Sequence, residues 1–276
     1  MNRSIDTPAA RPVPAPRLTW FTFAAPAHFH RLAGTLIPVF AAVAALLGLA
    51  GLWMGLFVAP TDATQGEVYR IIFIHVPAAW LSMVLYLAMA GWAALGWLLN
   101  ARMAHILARA IAPTGALFTL LALWTGALWG RPTWGTWWVW DARLTSELIL
   151  LLLYLGYLAL VAAIDDTRRA DKAGALLAVV GVVNVPVIYF SVVWWNTLHQ
   201  GSSLTMGAAP RMASAMLWAM LLLTFACWAY AFAVVLVRAR AIVLEREGGT
   251  AWARALVAGA TPLGEHGTPG RGNQRS

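Results

Sequence analysis

Between Leu36 and Val58 the chain runs for 23 residues without one charged side chain. A helix that long, rising about 1.5 Å per residue, crosses a hydrocarbon core of about 30 Å. Lipid offers the backbone no hydrogen bonds, so such a run has to be helical and satisfy its own N–H and C=O groups. Five further predominantly apolar runs follow, at Val76–Leu99, Ile106–Trp129, Leu144–Ile164, Ala173–Trp195 and Met212–Val237. With 61% hydrophobic and only 11% charged residues, the composition is far from that of an ordinary soluble domain. The expected fold is all-α, a polytopic membrane protein with six transmembrane helices. A tail over residues 1–35 precedes a membrane domain over 36–240. A second tail covers 241–276, polar, glycine-rich and expected to be mobile from Glu245 onward.

Lys and Arg are retained on the cytoplasmic side of a membrane protein. If both termini are inside, fifteen of the 19 basic residues lie in inner segments, from Arg3, Arg11, Arg17 and Arg31 through Arg102, Arg109, Arg168, Arg169 and Lys172 to those between Arg238 and Arg275. Only Arg70, Arg131, Arg143 and Arg211 fall outside. The expected topology is therefore N-in/C-in, with the loop between helices 3 and 4 facing outward. A formal charge of +8 spread over short segments between apolar runs, rather than clustered on a soluble surface, makes lipid and not nucleic acid the expected partner. The single cysteine, Cys227, lies in an apolar run and permits neither an intrachain disulfide nor a CxxC pair.

The outward loop holds Trp134-Gly135-Thr136-Trp137-Trp138-Val139-Trp140-Asp141, four tryptophans within seven residues, where an even spread of the chain's 16 would put fewer than one. As a helix, the stretch would align Trp134, Trp137 and Trp138; extended, it would align Trp134, Trp138 and Trp140. An aromatic belt at the membrane interface is one reading. A platform for a flat, apolar ligand is the other, because indoles offer wide stacking area at little rotamer cost. Asp141 either caps the fourth helix or faces that ligand. Glu147, about one turn inside the fourth span, has Arg143 four residues earlier as its nearest candidate partner, with ligand contact as the alternative.

The topology also sorts the histidines. His28, His30, His105 and His266 fall on the inner side, His105 in a short loop, whereas His75 opens the second span and His199 follows the fifth, both on the outer side with the indoles. Two imidazoles and an aromatic shelf make a poor catalytic set, with no nucleophile, carboxylate pair or Cys/His cluster beside them, so no enzyme is expected. They make a good haem set. Iron in a porphyrin takes one axial ligand on each face, and the ring asks for broad apolar walls. The absence of a CxxCH motif points to non-covalent haem b held by His75 and His199. Arg131, Arg143 and Arg211 suit haem carboxylates and lipid headgroups equally well.

The run Trp134 to Ser146, flanked by Ile72-Phe73-Ile74-His75-Val76-Pro77 and Trp194-Trp195-Asn196-Thr197-Leu198-His199-Gln200, resembles the WWD family of haem-handling proteins in system I cytochrome c maturation, and within it the haem exporter protein C (CcmC) branch. The resemblance covers roughly residues 35 to 240. It implies a bacterial inner-membrane protein with its haem site toward the periplasm, His75 and His199 as axial ligands, and Trp134, Trp137, Trp138, Trp140, Asp141 and Arg143 around the haem. It further implies presentation of haem to the chaperone CcmE, and association with CcmD and with the ABC-type subunits CcmA and CcmB. No nucleotide-binding loop occurs in this sequence, so ATP hydrolysis would belong to those partners. Two other classes compete: a redox b-type cytochrome, and a membrane-spanning haem permease subunit of an ABC-type complex. Placement of both histidines at outer helix ends, rather than along the spans, argues against each.

Overall fold

The computed structural model describes residues 25–195, 197–199 and 212–259. Arg3, Arg11, Arg17, Asn196, Gln200, Arg211, His266, Arg271 and Arg275 lie outside the described residues. Among those described, six helical segments are long and apolar enough to cross a membrane. The first is α1 (Pro26–Trp53), prolonged by a π-helical turn over Met54–Val58. Pro26 sits in its first turn, where a missing N–H costs nothing. The helix therefore starts ten residues before the uncharged run, because His30 and Ala33 are already buried.

The second segment begins earlier than its apolar pattern suggests. A 3-10 turn at Glu67–Ile71 leads directly into α2 (Ile72–Leu99). His75 and Pro77 thus lie inside the helix rather than at its opening. Arg70 explains the extension: its guanidinium bonds Glu67 and the carbonyls of Gly55 and Ala59, which fastens this turn to the end of the first span. Asn100, in the left-handed region at φ 49°, ends α2, and α3 (Arg102–Trp134) turns back along it. His105 is consequently not in a loop. It is a helical residue, 9% exposed, packed on Gly96.

Asp141 and Asp166 accept backbone N–H groups at 2.8 Å from Leu144 and Arg169, and so start α4 (Ala142–Ala163) and α5 (Thr167–Gly181). The fifth span is two helices, since α6 (Asn184–Trp194) starts anew after Val182 and Val183. The break lies just before Asn184 and Pro186: proline has no N–H for the carbonyl of Val182 and its ring crowds that oxygen, but it is well tolerated in the first turn of a new helix. The last span, α7 (Ser214–Glu247), runs ten residues past its apolar stretch because Ala239 and Val243 are fully buried. The short α8 (Ala251–Val257) then brings Trp252 to 6.0 Å from His30, so part of the segment expected to be mobile is packed.

The main core lies among α2, α3, α4, α5 and α7, around Leu81, Tyr86, Leu150 and Tyr154, none of which is exposed. α1 rests chiefly on α7 and leaves Val39, Leu46, Leu49 and Phe57 uncovered, as lipid-facing residues should be. At the end of the bundle holding His105, Arg246 of α7 makes two 2.8 Å hydrogen bonds to Asp171 of α5. Removing one member of a mostly buried, bidentate pair strands the other. Arg246→Ala is expected to lower stability in detergent by about 1–3 kcal/mol, and Arg246→Lys by less, read as thermal unfolding midpoints; equal midpoints for all three proteins would refute this.

Candidate functional site

His75, His199, Trp134, Trp138 and Arg143 line one pocket at the end of the bundle where α2 and α4 begin and α3 and α6 finish. The pocket is partly enclosed and open on one side to the surface of the bundle. The two imidazole rings lie side by side in the pocket, with centres 6.3 Å apart and planes 35° from parallel. Nitrogen ligands bind a transition metal at about 2 Å, and an imidazole centre sits about 1 Å behind its ligating nitrogen. Two rings on opposite faces of one metal are therefore about 6 Å apart, the spacing found here.

Each ring is placed by its own segment. His75 stands in the second turn of α2, edge-on to Trp129 at 5.6 Å, with Nδ1 3.0 Å from the Thr125 hydroxyl oxygen. His199 follows α6, its backbone N–H bonded to Thr197 Oγ1 at 2.8 Å, and its ring lies 6.1 Å from Trp134. Two histidines are too few to hold a bare metal ion, which asks for three or more protein ligands. Among the described residues no cluster of three His, Cys, Asp or Glu side chains could supply them. Two suffice for a metal that arrives with four equatorial ligands of its own, as iron does in a porphyrin.

The tryptophan run is neither one helix nor one extended strand. Trp134 ends α3, and Gly135 at φ 79° takes the left-handed conformation that closes the helix, with Arg131 donating to the Gly135 carbonyl at 2.7 Å. The chain then crosses to α4 without regular structure, held by Thr136 Oγ1 donating to the Trp138 carbonyl at 3.0 Å. As a result the four indoles divide. Trp134 and Trp138 enter the pocket wall, whereas Trp137 and Trp140 are 55% and 77% exposed at the loop surface. Trp138 packs edge-on to Trp140 at 5.4 Å, and its buried Nε1–H has no hydrogen-bond acceptor among the described residues. Asp141 lies outside the pocket lining and caps α4 through one carboxylate oxygen; the other is buried without a partner among the described residues.

Of the arginines expected on the outer side, Arg143 alone among the described residues reaches the pocket, where Nη1 donates to the Ile188 carbonyl of α6 at 2.8 Å. Arg70 and Arg131 are spent on backbone carbonyls. Glu147 does not pair with Arg143 within ion-pair distance. It accepts a 2.8 Å hydrogen bond from Ser82 on α2 and contributes to the pocket floor. The reason lies in the helix break: Arg143 is drawn toward α6, whose Asn184 also donates to the Ser146 carbonyl at 2.9 Å.

Several lining residues carry no motif. Gln65 accepts from Trp129 Nε1 at 2.8 Å, and Ala122, Gly126, Trp129 and Thr133 form a stripe along α3. Their 4-3-4 spacing is the signal by which they could have been found, since it puts them on one helix face. A side chain at Gly126 would come within 3.1 Å of His75 Cε1, so the absence of a Cβ there leaves the imidazole its place.

A donor pair at iron-spanning distance, apolar and indole walls, an unanswered indole N–H and a guanidinium within the lining fit a haem: a flat macrocycle with a central metal and peripheral carboxylates. The family model described as heme exporter protein C matches residues 19–254, which include every residue named in this site. The heme exporter protein C of Escherichia coli (strain K12) is 43% identical over 240 residues, covering 87% of this chain and 96% of the relative. That of Haemophilus influenzae is 45% identical over 234 residues, 85% and 95% of the two chains. That of Bradyrhizobium diazoefficiens is 50% identical over 188 residues, 67% and 70%.

Proposed function

The chain belongs to the heme exporter protein C family, and from that membership we propose that it is a haem-handling membrane component of cytochrome c maturation, holding haem b non-covalently between His75 and His199. The observation that carries the reading is the pair of imidazoles with ring centres 6.3 Å apart in an indole-walled pocket. His75 and His199 would hold the iron, Trp134 and Trp138 would cover the macrocycle, and Arg143 with the Trp138 N–H would receive its carboxylates. Trp137 and Trp140, exposed beside the mouth, suit contact with a receiving protein.

Haem held at one end of a six-helix bundle serves presentation rather than passage. With the basic residues placing the termini inside, the site faces the periplasm of the bacterial inner membrane. The recipient is the chaperone CcmE, in a complex with CcmD and the ABC-type subunits CcmA and CcmB, which supply any ATP hydrolysis. The paired imidazoles give the bound iron six ligands, so the chain acts by gripping and exposing its cargo and needs no catalytic group.

The visible spectrum of the detergent-purified full-length protein, supplied with haem and recorded oxidised and reduced, tests this. A low-spin, six-coordinate spectrum is the expected result. A stable high-spin, five-coordinate complex, or no stoichiometric binding, would overturn the assignment of both ligands.

A further inference from the structure

We infer that Thr125 is a positioning residue for His75, fixing which of its nitrogens faces the pocket and how strongly that nitrogen donates; this rests on the haem-holding reading above. Thr125 lies in the last third of a membrane-spanning helix, where a hydroxyl is commonly satisfied by its own helix carbonyls. Here it does more. Its single hydrogen is committed to the Leu121 carbonyl at 2.6 Å, with the Ala122 carbonyl at 3.3 Å, so the oxygen is left as an acceptor toward His75 Nδ1 at 3.0 Å. A hydroxyl has one hydrogen to give. The shared bond can therefore exist only if Nδ1 carries the proton.

Nε2 is then the lone-pair nitrogen. A metal-binding histidine whose other N–H is held by an acceptor is fixed in orientation and made a better electron donor. Gly126, next along α3, supplies the space for the ring, since a Cβ there would approach Cε1 to 3.1 Å. The consecutive pair thus holds His75 from behind: one residue by a hydrogen bond, the other by the absence of a side chain. His199 follows α6, with its backbone N–H bonded to Thr197 Oγ1 at 2.8 Å.

The test compares the full-length protein with Thr125→Val, which keeps the shape and removes the acceptor, and Thr125→Ser, which keeps the acceptor. Each is loaded with haem and checked for folding by its unfolding midpoint before haem is added. Two quantities are measured: the rate of haem loss to excess apomyoglobin and the reduction potential of the bound haem. Thr125→Val is expected to lose haem about 10- to 100-fold faster and to show a higher potential, since a less basic imidazole stabilises ferric iron less. Thr125→Ser should match the parent in both. Parent-like retention and potential in Thr125→Val would overturn the inference, and so would equal impairment of the Val and Ser variants, which marks a packing role. If the parent itself gives no six-coordinate spectrum, it is the haem reading that fails.

Discussion

His75→Ala and His199→Ala are each expected to convert a six-coordinate haem spectrum to a five-coordinate one and to weaken haem retention by about 100-fold or more. The scale follows from the geometry. Loss of a group that merely supports a metal ligand costs about 10–100-fold in affinity, and each of these substitutions removes a ligand itself. His75 is also held from behind by Thr125, outside the pocket lining; the other described ring contacts of the two imidazoles are with each other, Trp129 and Trp134. Unfolding midpoints of the two apoproteins, set against the parent's, separate loss of a ligand from loss of fold. Added imidazole, small enough to enter the space left by the missing ring, should restore part of the six-coordinate spectrum. His28 is the appropriate control: it is exposed at the start of α1 and, among the described residues, hydrogen-bonded to Arg31 at 3.4 Å. His105 serves less well, because its burial against Gly96 means that truncation opens a cavity. Unchanged spectra in either pocket variant, or equal loss in His28→Ala, would refute the paired-ligand assignment.

What could be read from the residues alone follows from which forces are local. Six apolar runs fix six spans, because the bilayer imposes a length and forbids an unpaired backbone whatever the neighbouring helices do. Helix ends are another matter. Val243 is buried and helical although the hydropathy of its surroundings has already fallen, and His75 is helical because Arg70 ties the preceding turn to the carbonyls of Gly55 and Ala59. Both depend on contacts between segments that are distant in the chain. The same division holds at the site. The tryptophan run and the two outer histidines stand out by composition and topology, yet the partition of the indoles into Trp134 and Trp138 at the wall and Trp137 and Trp140 outside depends on Gly135 ending the helix between them.

The partner of Glu147 shows the limit most clearly. On an isolated helix Arg143 is its natural neighbour at i−4. In the folded chain the break before Asn184 turns α6 toward α4, and Arg143 bonds the Ile188 carbonyl instead. Glu147 is left to Ser82, 65 residues away in sequence. An interrupted fifth span can be read from Pro186, but not the rerouting of a guanidinium that the interruption causes.

The second large effect concerns the frame that carries these helix ends. Gly115→Ala is expected to destabilise the protein by about 3 kcal/mol, against little change for Gly91→Ala. At Gly115 of α3 an added methyl would overlap the ring of Tyr154 from α4, a side chain with no exposed surface whose hydroxyl donates to the Ser82 carbonyl at 2.9 Å. Tyr154 cannot yield without surrendering that bond, so overpacking, worth about 1–3 kcal/mol, combines with an unsatisfied buried hydroxyl worth about 1–3 kcal/mol. Gly91, in α2, has no atom within 4 Å of the same added methyl, so the better helix propensity of alanine acts unopposed. Unfolding midpoints in one detergent decide the matter. Because Ser82 also holds Glu147 in the pocket floor, Gly115→Ala should loosen haem binding without touching a ligand, seen as faster haem loss with an unchanged spectrum. Equal midpoints for the two alanine variants would show that Tyr154 can move aside, and that the close approach of α3 to α4 is not what positions the floor of the site.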